Sequence, residues 1–271
     1  RSTLFPYTTL FRSVKLSKER FTVLQSGEID VLARVTTWTT SRDVDMPFDF
    51  IGVNYYDGQG FMVRKDLGIK SVKDLSGASI CTNTGTSTET NMADYFKANG
   101  LEYKPVIFEK SEEVKSAYDA GRCDAYSSDV SGLYVQRKLL ANPDAHDILP
   151  EVISKEPLGP LVRQEDPAFK DLAAWTHHCM VNAEEYGVTQ ANVDEMKNSN
   201  NPNIRRLLGV EANGADKLGV GQDFCYHIVK NIGNYGEAYD RNVGKASPLA
   251  IERGLNRLWN QGGIMFAPPL R

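Results

Sequence analysis

The sequence predicts an α/β fold built on a parallel sheet, and three observations support this prediction. Residues 62–157 alternate short apolar, β-branched runs with helical segments, which is typical of a sheet with helices on its faces. The chain has 271 residues, a length that favours two domains or one large domain. Its contents of 41% hydrophobic and 24% charged residues are ordinary for a globular protein with a substantial core.

Hydrophobic periodicity and turn residues define the predicted elements in chain order. Residues 18–26 predict an amphipathic helix that ends at Gly27, and residues 29–35 predict a buried strand. The alternating region predicts strands at 59–64, 78–82, 103–108, 124–127 and 147–153, and helices at 71–76, before Gly100, at 111–121 with Ser111 as N-cap, and at 130–140. The remainder predicts helices at 168–187, 189–198, 222–233 and 247–260, with a loop-rich stretch at 200–221.

The first residues, RSTLFPYTTLFRS, do not fit the rest of the chain. A secretory signal has a basic, then an apolar, then a small-residue segment, and this order is missing here. The string resembles one reading-frame translation of a sequencing adapter. We therefore treat residues 1–13 as an artefact and expect the native sequence to begin near Val14, inside a folded domain.

Composition excludes several classes of function. The formal net charge is −4 and no basic block is present, so we expect no nucleic-acid partner. No apolar run approaches the roughly 20 residues needed to cross a bilayer. The cysteines show no CxxC spacing and no histidine at ligand spacing, which argues against a zinc site and leaves buried thiols or disulfides open.

The segment NTGTSTETN at residues 83–91 is the most informative candidate for a binding site. A strand ends, Gly85 permits a tight turn, and the hydroxyl residues Thr86, Ser87 and Thr88 begin a helix. N–H groups and hydroxyls at a helix start can hold a carboxylate or a phosphate. Plain N-capping explains the same residues, and the segment lacks the Gly-Lys-Ser/Thr ending of a Walker motif.

Two other strand ends carry groups that complement an amino acid. Arg42 follows a Thr-rich loop, and its guanidinium fits a carboxylate in two parallel bonds, although pairing with Asp43 or Asp45 is the simpler explanation. Asp129 lies just past a predicted strand, where ligands bind in open α/β sheets, and it would accept bonds from an ammonium group unless it only caps the next helix. Together the three segments describe an α-amino acid, and no acid–base set for catalysis is evident.

These residues make the chain resemble the type II periplasmic solute-binding proteins for polar amino acids. Within that family, it is most similar to the general L-amino-acid-binding proteins of Gram-negative ABC transporters. The resemblance covers nearly everything from residue 18 onward, in ordered stretches such as ERFTVLQSGEIDVLARVTTWTTSRD, GVNYYDGQGFMVRK, LSGASICTNTGTSTETNMADYF and YDAGRCDAYSSDVSGLY. Several short matches in the right order are more specific than any one of them.

The resemblance implies a two-lobed type II periplasmic binding protein fold, in which two α/β domains are joined by a two-strand hinge and hold the ligand between them. Residues 63–155 should form the second lobe, and residues 14–62 with 156–271 the first, including a C-terminal helical extension. Relatives begin with a strand, a helix and a strand that precede this chain's start. We therefore expect the first lobe to be incomplete and to expose apolar surface.

The family's binding pattern carries over residue by residue. In the first lobe the resemblance implies backbone groups from Arg34 and Val35, a hydroxyl from Thr37, and the carboxylate-binding fork of Arg42. In the second lobe it implies a carboxylate site at Thr86, Ser87 and Thr88, an ammonium site at Asp129, and side-chain-pocket positions at Asn83 and Ser128. Many relatives have a small Ala-Gly pair where this chain has Arg34-Val35.

The resemblance also implies a compartment and partners. An oxidising, extracytoplasmic location would allow a disulfide between Cys81 and Cys123, on neighbouring strands, and another between Cys179 and Cys225, on two helices. We expect a monomer in the periplasm of a Gram-negative bacterium that binds L-amino acids, uses no cofactor, and meets the permease subunits of an ABC importer.

Two other functions are compatible with this fold. A dehydratase acting on prephenate or arogenate would need a tuned acid–base pair reaching the cleft, and the sequence shows no convincing one. A ligand-sensing receptor domain would be followed by a transmembrane segment, which this sequence does not contain. Because fold does not fix function, both stay as alternatives to a binding protein that is not an enzyme.

Overall fold

The computed structural model describes residues 11–14 and 16–271, so most of the adapter-like string lies outside the described residues. The chain divides into two compact units. Unit 1 joins the described residues up to Arg34 with Gln59–Ser154, and unit 2 consists of Val35–Gly58 and Lys155–Arg271. The chain thus passes from one unit to the other after Arg34, after Gly58 and after Ser154.

The largest difference from the expected lobes is that residues 14–34 group with unit 1, and the boundaries near residues 59–62 and 155 also shift by a few positions. Local contacts explain this grouping. Leu16 forms an isolated β-bridge with Lys110, and the Arg34 guanidinium donates to the Leu16 carbonyl oxygen at 3.1 Å. The lobe boundaries drawn from the resemblance stay a prediction.

The helices are α1 (Glu19–Gln25), α2 (Thr40–Val44), α3 (Ser87–Ala98), α4 (Ser111–Asp119), α5 (Val130–Lys138), α6 (Pro167–Glu185), α7 (Val193–Met196), α8 (Pro202–Leu207), α9 (Phe224–Ile232) and α10 (Tyr235–Asn242). The strands are β1 (Phe48–Phe50), β2 (Tyr55–Arg64), β3 (Ser79–Asn83), β4 (Lys104–Phe108), β5 (Ala125–Asp129), β6 (His146–Ile148), β7 (Ser154–Leu158) and β8 (Leu161–Arg163).

Unit 1 is built on a sheet with the strand order β4-β3-β5-β2-β6. The central strand β3 runs parallel to β4 and β5, as the alternating pattern predicts, while β2 runs antiparallel to β5 and β6. Side chains of one strand alternate between the two faces of the sheet. Phe61 therefore packs with Phe96 of α3 on one face, and Met62 packs with Tyr118 of α4 on the other.

Unit 2 combines a small sheet with a helical region. Strands β1 and β8 pair antiparallel, with Phe50 opposite Leu161. Helices α6 and α9 contact each other around the buried residues Cys179, Cys225 and Val229.

Several predicted elements are wrong. Residues 29–35 form no strand: Leu32 is buried and forms an isolated β-bridge, but the pairing does not extend along the run, and Val35 is 48% exposed. The predicted helix at 247–260 is replaced by the short 3₁₀ turns Gly254–Asn256 and Trp259–Gln261. Helix α10 lies earlier in the chain, where Asn234 and Glu237 form a capping box that the sequence already contains.

Smaller corrections concern helix ends. Lys110, and not Ser111, is the N-cap residue of α4. The predicted helix at 189–198 is limited to α7, and the loop-rich stretch at 200–221 contains α8. Helix α8 begins with Asn201 as N-cap and Pro202 in its first turn, a pairing that favours a helix start.

The four cysteines form two disulfides, one in each unit. The Cα atoms are 5.7 Å apart in the Cys81–Cys123 pair and 5.3 Å apart in the Cys179–Cys225 pair, both within the usual range. All four residues are buried. The first disulfide joins β3 to the start of β5, and the second joins α6 to α9.

We expect the Cys179→Ala/Cys225→Ala variant to lose about 2–4 kcal/mol of unfolding free energy, because the cross-link restricts the unfolded chain. Urea unfolding of the variant and the wild type measures the difference. Iodoacetamide labelling of the denatured wild type should modify no thiol before reduction and all four afterwards. Thiols that react without reductant would contradict the pairing.

Candidate ligand-binding site

The turn between β3 and α3 places the hydroxyl-rich segment at the start of a helix. Gly85 has a φ of 69°, in the left-handed region that glycine adopts readily. Thr86 is the N-cap residue of α3, but its side chain makes no capping hydrogen bond with the helix. Thr86 Oγ1 instead donates to the carbonyl oxygen of Asn83 at 2.8 Å. The N-capping explanation therefore does not hold for this hydroxyl.

Two side chains hold this turn in place. The Gly85 N–H donates to Glu89 Oε2 at 3.1 Å, so the carboxylate of the first helical turn reaches back to the residue before the N-cap. A Cβ atom on Gly85 would lie 2.7 Å from Lys18 Cγ, because the methylene chain of Lys18 covers the turn. A larger residue at this position would therefore have to displace Lys18, and the positive φ would add backbone strain.

Asn83 ends β3 and is bound to the start of α4. Its Oδ1 accepts from Ser111 Oγ at 3.3 Å, and its Nδ2 donates to the Glu109 carbonyl oxygen at 3.5 Å. These contacts fix the amide of Asn83 beside the turn. They also explain why Ser111 does not act as an N-cap.

Asp129 ends β5 and occupies the N-cap position of α5. Its side chain makes no capping hydrogen bond, so capping does not explain this carboxylate. In the sheet, Asp129 lies opposite Gln59, and Ser128 lies opposite Gly60. Burial raises the pKa of Tyr126, and the carboxylate of Asp129 raises it further.

The corresponding residues of unit 2 surround a buried carboxylate. Thr37 Oγ1 donates to Glu156 Oε2, and Glu156 is 1% exposed. Arg42 Nη1 donates to the Thr37 carbonyl oxygen at 2.8 Å, and Arg42 is 8% exposed. Arg42 is therefore not a surface arginine, and Thr37 links it to Glu156.

Sequence reasoning missed Glu156. The signal is present in β7, where Glu156 and Leu158 alternate with exposed or half-buried neighbours and both are buried. The Thr-rich loop lies along this strand, because Thr37 forms an isolated bridge with Leu158 and the Trp38 N–H donates to the Pro157 carbonyl oxygen at 2.8 Å.

Arg34 and Val35 lie on opposite sides of the boundary between the units. The Arg34 guanidinium donates to the carbonyl oxygens of Val14 and Leu16, at 3.2 and 3.1 Å. Burial lowers the pKa of Arg34, and the carboxylate of Glu112 opposes this shift. The side chain of Arg34 thus holds the N-terminal segment, and a ligand-binding role for its backbone stays a prediction.

Trp38 packs against another aromatic ring, and so do His177 and His178, which follow each other in α6. Trp38 stacks on Phe50, with ring centroids 4.8 Å apart. Burial lowers the pKa of His177 to about 4, and the neighbouring His178 adds to the effect. Across residues 11–14 and 16–271, no group of three or more histidine, cysteine or acidic side chains is suited to a metal ion.

Each unit therefore brings together a chemically coherent set. Unit 1 groups Asn83, the helix start at residues 86–88, Ser128 and Asp129 at one edge of the sheet, because β3 and β5 are parallel neighbours. Unit 2 groups Thr37, Arg42 and Glu156. Such sets offer N–H, hydroxyl and guanidinium donors to a carboxylate, and a carboxylate to an ammonium group.

Known proteins resemble the chain over most of its length. Residues 24–141 match the family described as NMT1/THI5 like. The general L-amino acid-binding periplasmic protein AapJ of Rhizobium johnstonii is 61% identical, over 94% of this chain and 75% of that protein. The glutamate/glutamine/aspartate/asparagine-binding protein BztA of Rhodobacter capsulatus is 51% identical, over 93% of this chain and 75% of that protein.

A solved structure is also similar. It is a periplasmic binding protein of an ABC transporter from Brucella ovis, with glutathione bound. The two chains are 58% identical and superpose with a TM-score of 0.93, covering 96% of this chain and 82% of the other.

We expect Thr37→Val to lower the free energy of unfolding by about 1.5–3 kcal/mol, because it removes a buried hydrogen bond to a charged group. Thr176→Val is the matched control in the same unit. Thr176 Oγ1 donates at 2.9 Å only to the Leu172 carbonyl oxygen of its own helix, so its loss should change stability by about 0.5 kcal/mol or less. Equal losses of unfolding free energy in the two variants, measured by urea unfolding, would contradict the larger contribution expected of the Thr37–Glu156 bond.

Proposed function

The chain belongs to the family of periplasmic amino-acid-binding proteins of ABC transporters, and on that basis we propose that it captures L-amino acids outside the cytoplasm and delivers them to an ABC importer. Its relatives are named as binding proteins, so it is a binding protein and not an enzyme. The observation that carries the proposal is the grouping of an uncapped helix start with Asp129 at one sheet edge of unit 1.

In unit 1 we assign the α-carboxylate to the start of α3 and the α-ammonium to Asp129. The start of a helix carries partial positive charge and N–H groups directed outward. The Thr86 side chain does not cap these groups, and Ser87 and Thr88 add hydroxyls. Asp129 follows the carboxyl end of β5, where open α/β sheets bind ligands. Asn83 and Ser128 are the proposed side-chain-pocket positions.

In unit 2 we assign the α-carboxylate to Arg42, with Thr37 as a further contact. A guanidinium binds a carboxylate through two parallel charge-assisted bonds. The bond from Arg42 to the Thr37 carbonyl oxygen fixes the direction of the side chain. Backbone contacts from Arg34 and Val35 complete the proposed set, as the resemblance implies.

The names of the relatives point to one shared chemical group. AapJ is named for L-amino acids in general, BztA for four of them, and the Brucella protein holds glutathione. Glutathione begins with a γ-linked glutamyl residue whose α-ammonium and α-carboxylate are both unmodified. We therefore propose that the recognised group is the α-amino-acid headgroup, either in a free amino acid or at the end of a γ-glutamyl peptide.

The compartment and partners follow from the same proposal. Disulfides persist in oxidising compartments such as the bacterial periplasm, and both cysteine pairs are joined here. We propose a monomeric protein in the periplasm of a Gram-negative bacterium, with permease subunits at the inner membrane as partners. None of the helices described here combines the length and the apolar character that a membrane span requires.

Thermal-shift assays with the twenty L-amino acids and glutathione test the ligand class. A ligand at 100 times its dissociation constant should add about 2.7 kcal/mol of stability. Arg42→Lys and Asp129→Asn should each weaken binding by about 10- to 100-fold, because each loses a charge-assisted contact of 1.5–3 kcal/mol. The exposed Asp144→Asn variant is the control and should bind like the wild type.

A shift with glutathione alone would narrow the ligand to γ-glutamyl peptides. No shift with any of these compounds would contradict the proposal. Aromatic acids and a turnover assay would then test the dehydratase alternative.

The turn before α3 can be tested with two glycine substitutions. Gly85→Ala and Gly77→Ala should each cost about 1–2 kcal/mol of stability, because both residues have positive φ, of 69° and 81°. A Cβ atom at Gly77 meets nothing within 4 Å, whereas at Gly85 it displaces Lys18. Calorimetry should therefore show weaker amino-acid binding only for Gly85→Ala. Equal amino-acid affinities in the two variants would mean that the turn at Gly85 is not part of the binding site.

A further inference from the structure

Gln59 is a polar side chain that lies entirely inside unit 1. It is the first residue after the chain leaves Gly58, and it is 0% exposed. Its Nε2 donates to the Thr88 carbonyl oxygen at 3.1 Å and to Ser127 Oγ at 2.9 Å. A single amide group therefore ties the first turn of α3 to strand β5.

Ser127 also bonds to the two strands that lie beside β5. Ser127 Oγ accepts from Gln59 and donates its own proton to the Gly60 carbonyl oxygen at 2.9 Å. Thr82 Oγ1 donates to the Ser127 carbonyl oxygen at 3.2 Å, from the adjacent strand β3. Strands β2, β3 and β5 thus meet at one buried point, two residues before Asp129.

The oxygen atom of the Gln59 amide takes no part in this tie. Gln59 Oε1 is buried and has no hydrogen-bond partner among the residues described. Exchanging the two ends of the amide does not help, because the oxygen would then face the Thr88 carbonyl oxygen, which can only accept. Buried acceptors without partners are rare and unfavourable. Gln59 therefore reduces stability at one end while making two contacts at the other, a pattern typical of functional sites.

We propose that Gln59 is a positioning residue of the amino-acid site. Its amide sets the spacing between the helix start, which takes the α-carboxylate, and the end of β5, which carries Asp129 for the α-ammonium. The backbone of Gln59 also helps to position Asp129, because the two residues are paired across neighbouring strands of the sheet. This inference rests on the proposed function of the site.

The chemistry of the ligand explains why this spacing matters. In an α-amino acid the ammonium and carboxylate are attached to the same carbon atom, so their separation hardly varies. A site that binds both groups must hold its own groups within a fraction of an ångström. Thr88 lies in the first turn of α3 and Ser127 two residues before Asp129, so the two bonds of Gln59 act next to both groups.

Gln59→Met tests the proposal, because methionine has a similar shape and donates no hydrogen bond. Isothermal titration with L-glutamate should show affinity about 10- to 100-fold weaker than that of the wild type. The melting temperature should stay within a few degrees, because the substitution also removes the unpaired oxygen. Gln59→Glu, which keeps the one side-chain oxygen and replaces the donating Nε2 with a second oxygen, cannot donate to Thr88 when ionised and should lose affinity to a similar degree.

Thr82→Val is the matched control, since it removes one buried bond to Ser127 and leaves Thr88 untouched. Its affinity should stay within about twofold of the wild type, as expected for a change outside the two tied elements. A double-mutant cycle of Gln59→Met with Asp129→Asn gives a readout that general destabilisation would not change. The combined loss should be clearly smaller than the product of the two single losses.

The possible outcomes distinguish the positioning role of Gln59 from the proposed function of the site. Wild-type affinity in Gln59→Met, an equal loss in Thr82→Val, or multiplicative losses in the cycle would overturn the positioning role while the proposed function stands. Failure of the wild type to bind any L-amino acid would overturn both.

Discussion

The parallel pairing of β3 with its neighbour β5 is the constraint on which unit 1 depends. Ile80 lies opposite Ala125 in this pairing, so the carboxyl ends of both strands reach the same edge of the sheet. The turn at Gly85 and the carboxylate of Asp129 therefore come together, although the two residues are 44 positions apart in the sequence. The Cys81–Cys123 disulfide and the bond from Thr82 to Ser127 reinforce this strand pair, and Gln59 ties β5 to the first turn of α3.

The sequence predicted most of unit 1 because its elements are short, regular and strongly patterned. The NTGTST turn contains the helix-start residues and the glycine that the turn requires, so its position could be read directly. Arg42 and Asp129 were candidates from the residue pattern as well as from the resemblance, and their binding role stays a prediction. The sequence alone could not show that Asp129 makes no capping bond. Gln59 and Glu156 were missed because a polar residue within an apolar strand resembles a solvent-facing one until its burial is known.

Unit 2 was less predictable, for physical reasons. Its C-terminal region contains short helices whose boundaries depend on caps such as Asn234 and on tertiary contacts, and apolar periodicity alone misplaced α10. The strand expected at 29–35 failed because apolar composition reports burial, whereas a strand also requires a partner ladder. The resemblance supplied the Cys179–Cys225 pairing, which composition had left open.

The electrostatics of the two sets fit a zwitterion better than an anion. In unit 1 the positive end of α3 is accompanied by the negative charge of Asp129, and in unit 2 Arg42 is linked through Thr37 to the buried Glu156. At the set of unit 1, a ligand with only a negative charge would gain from the helix start but would also meet the carboxylate of Asp129. An α-amino acid offers an ammonium group beside its carboxylate, which turns the charge of Asp129 from repulsive to attractive. Because this balance involves only the headgroup, it permits varied side chains, consistent with a general amino-acid receptor.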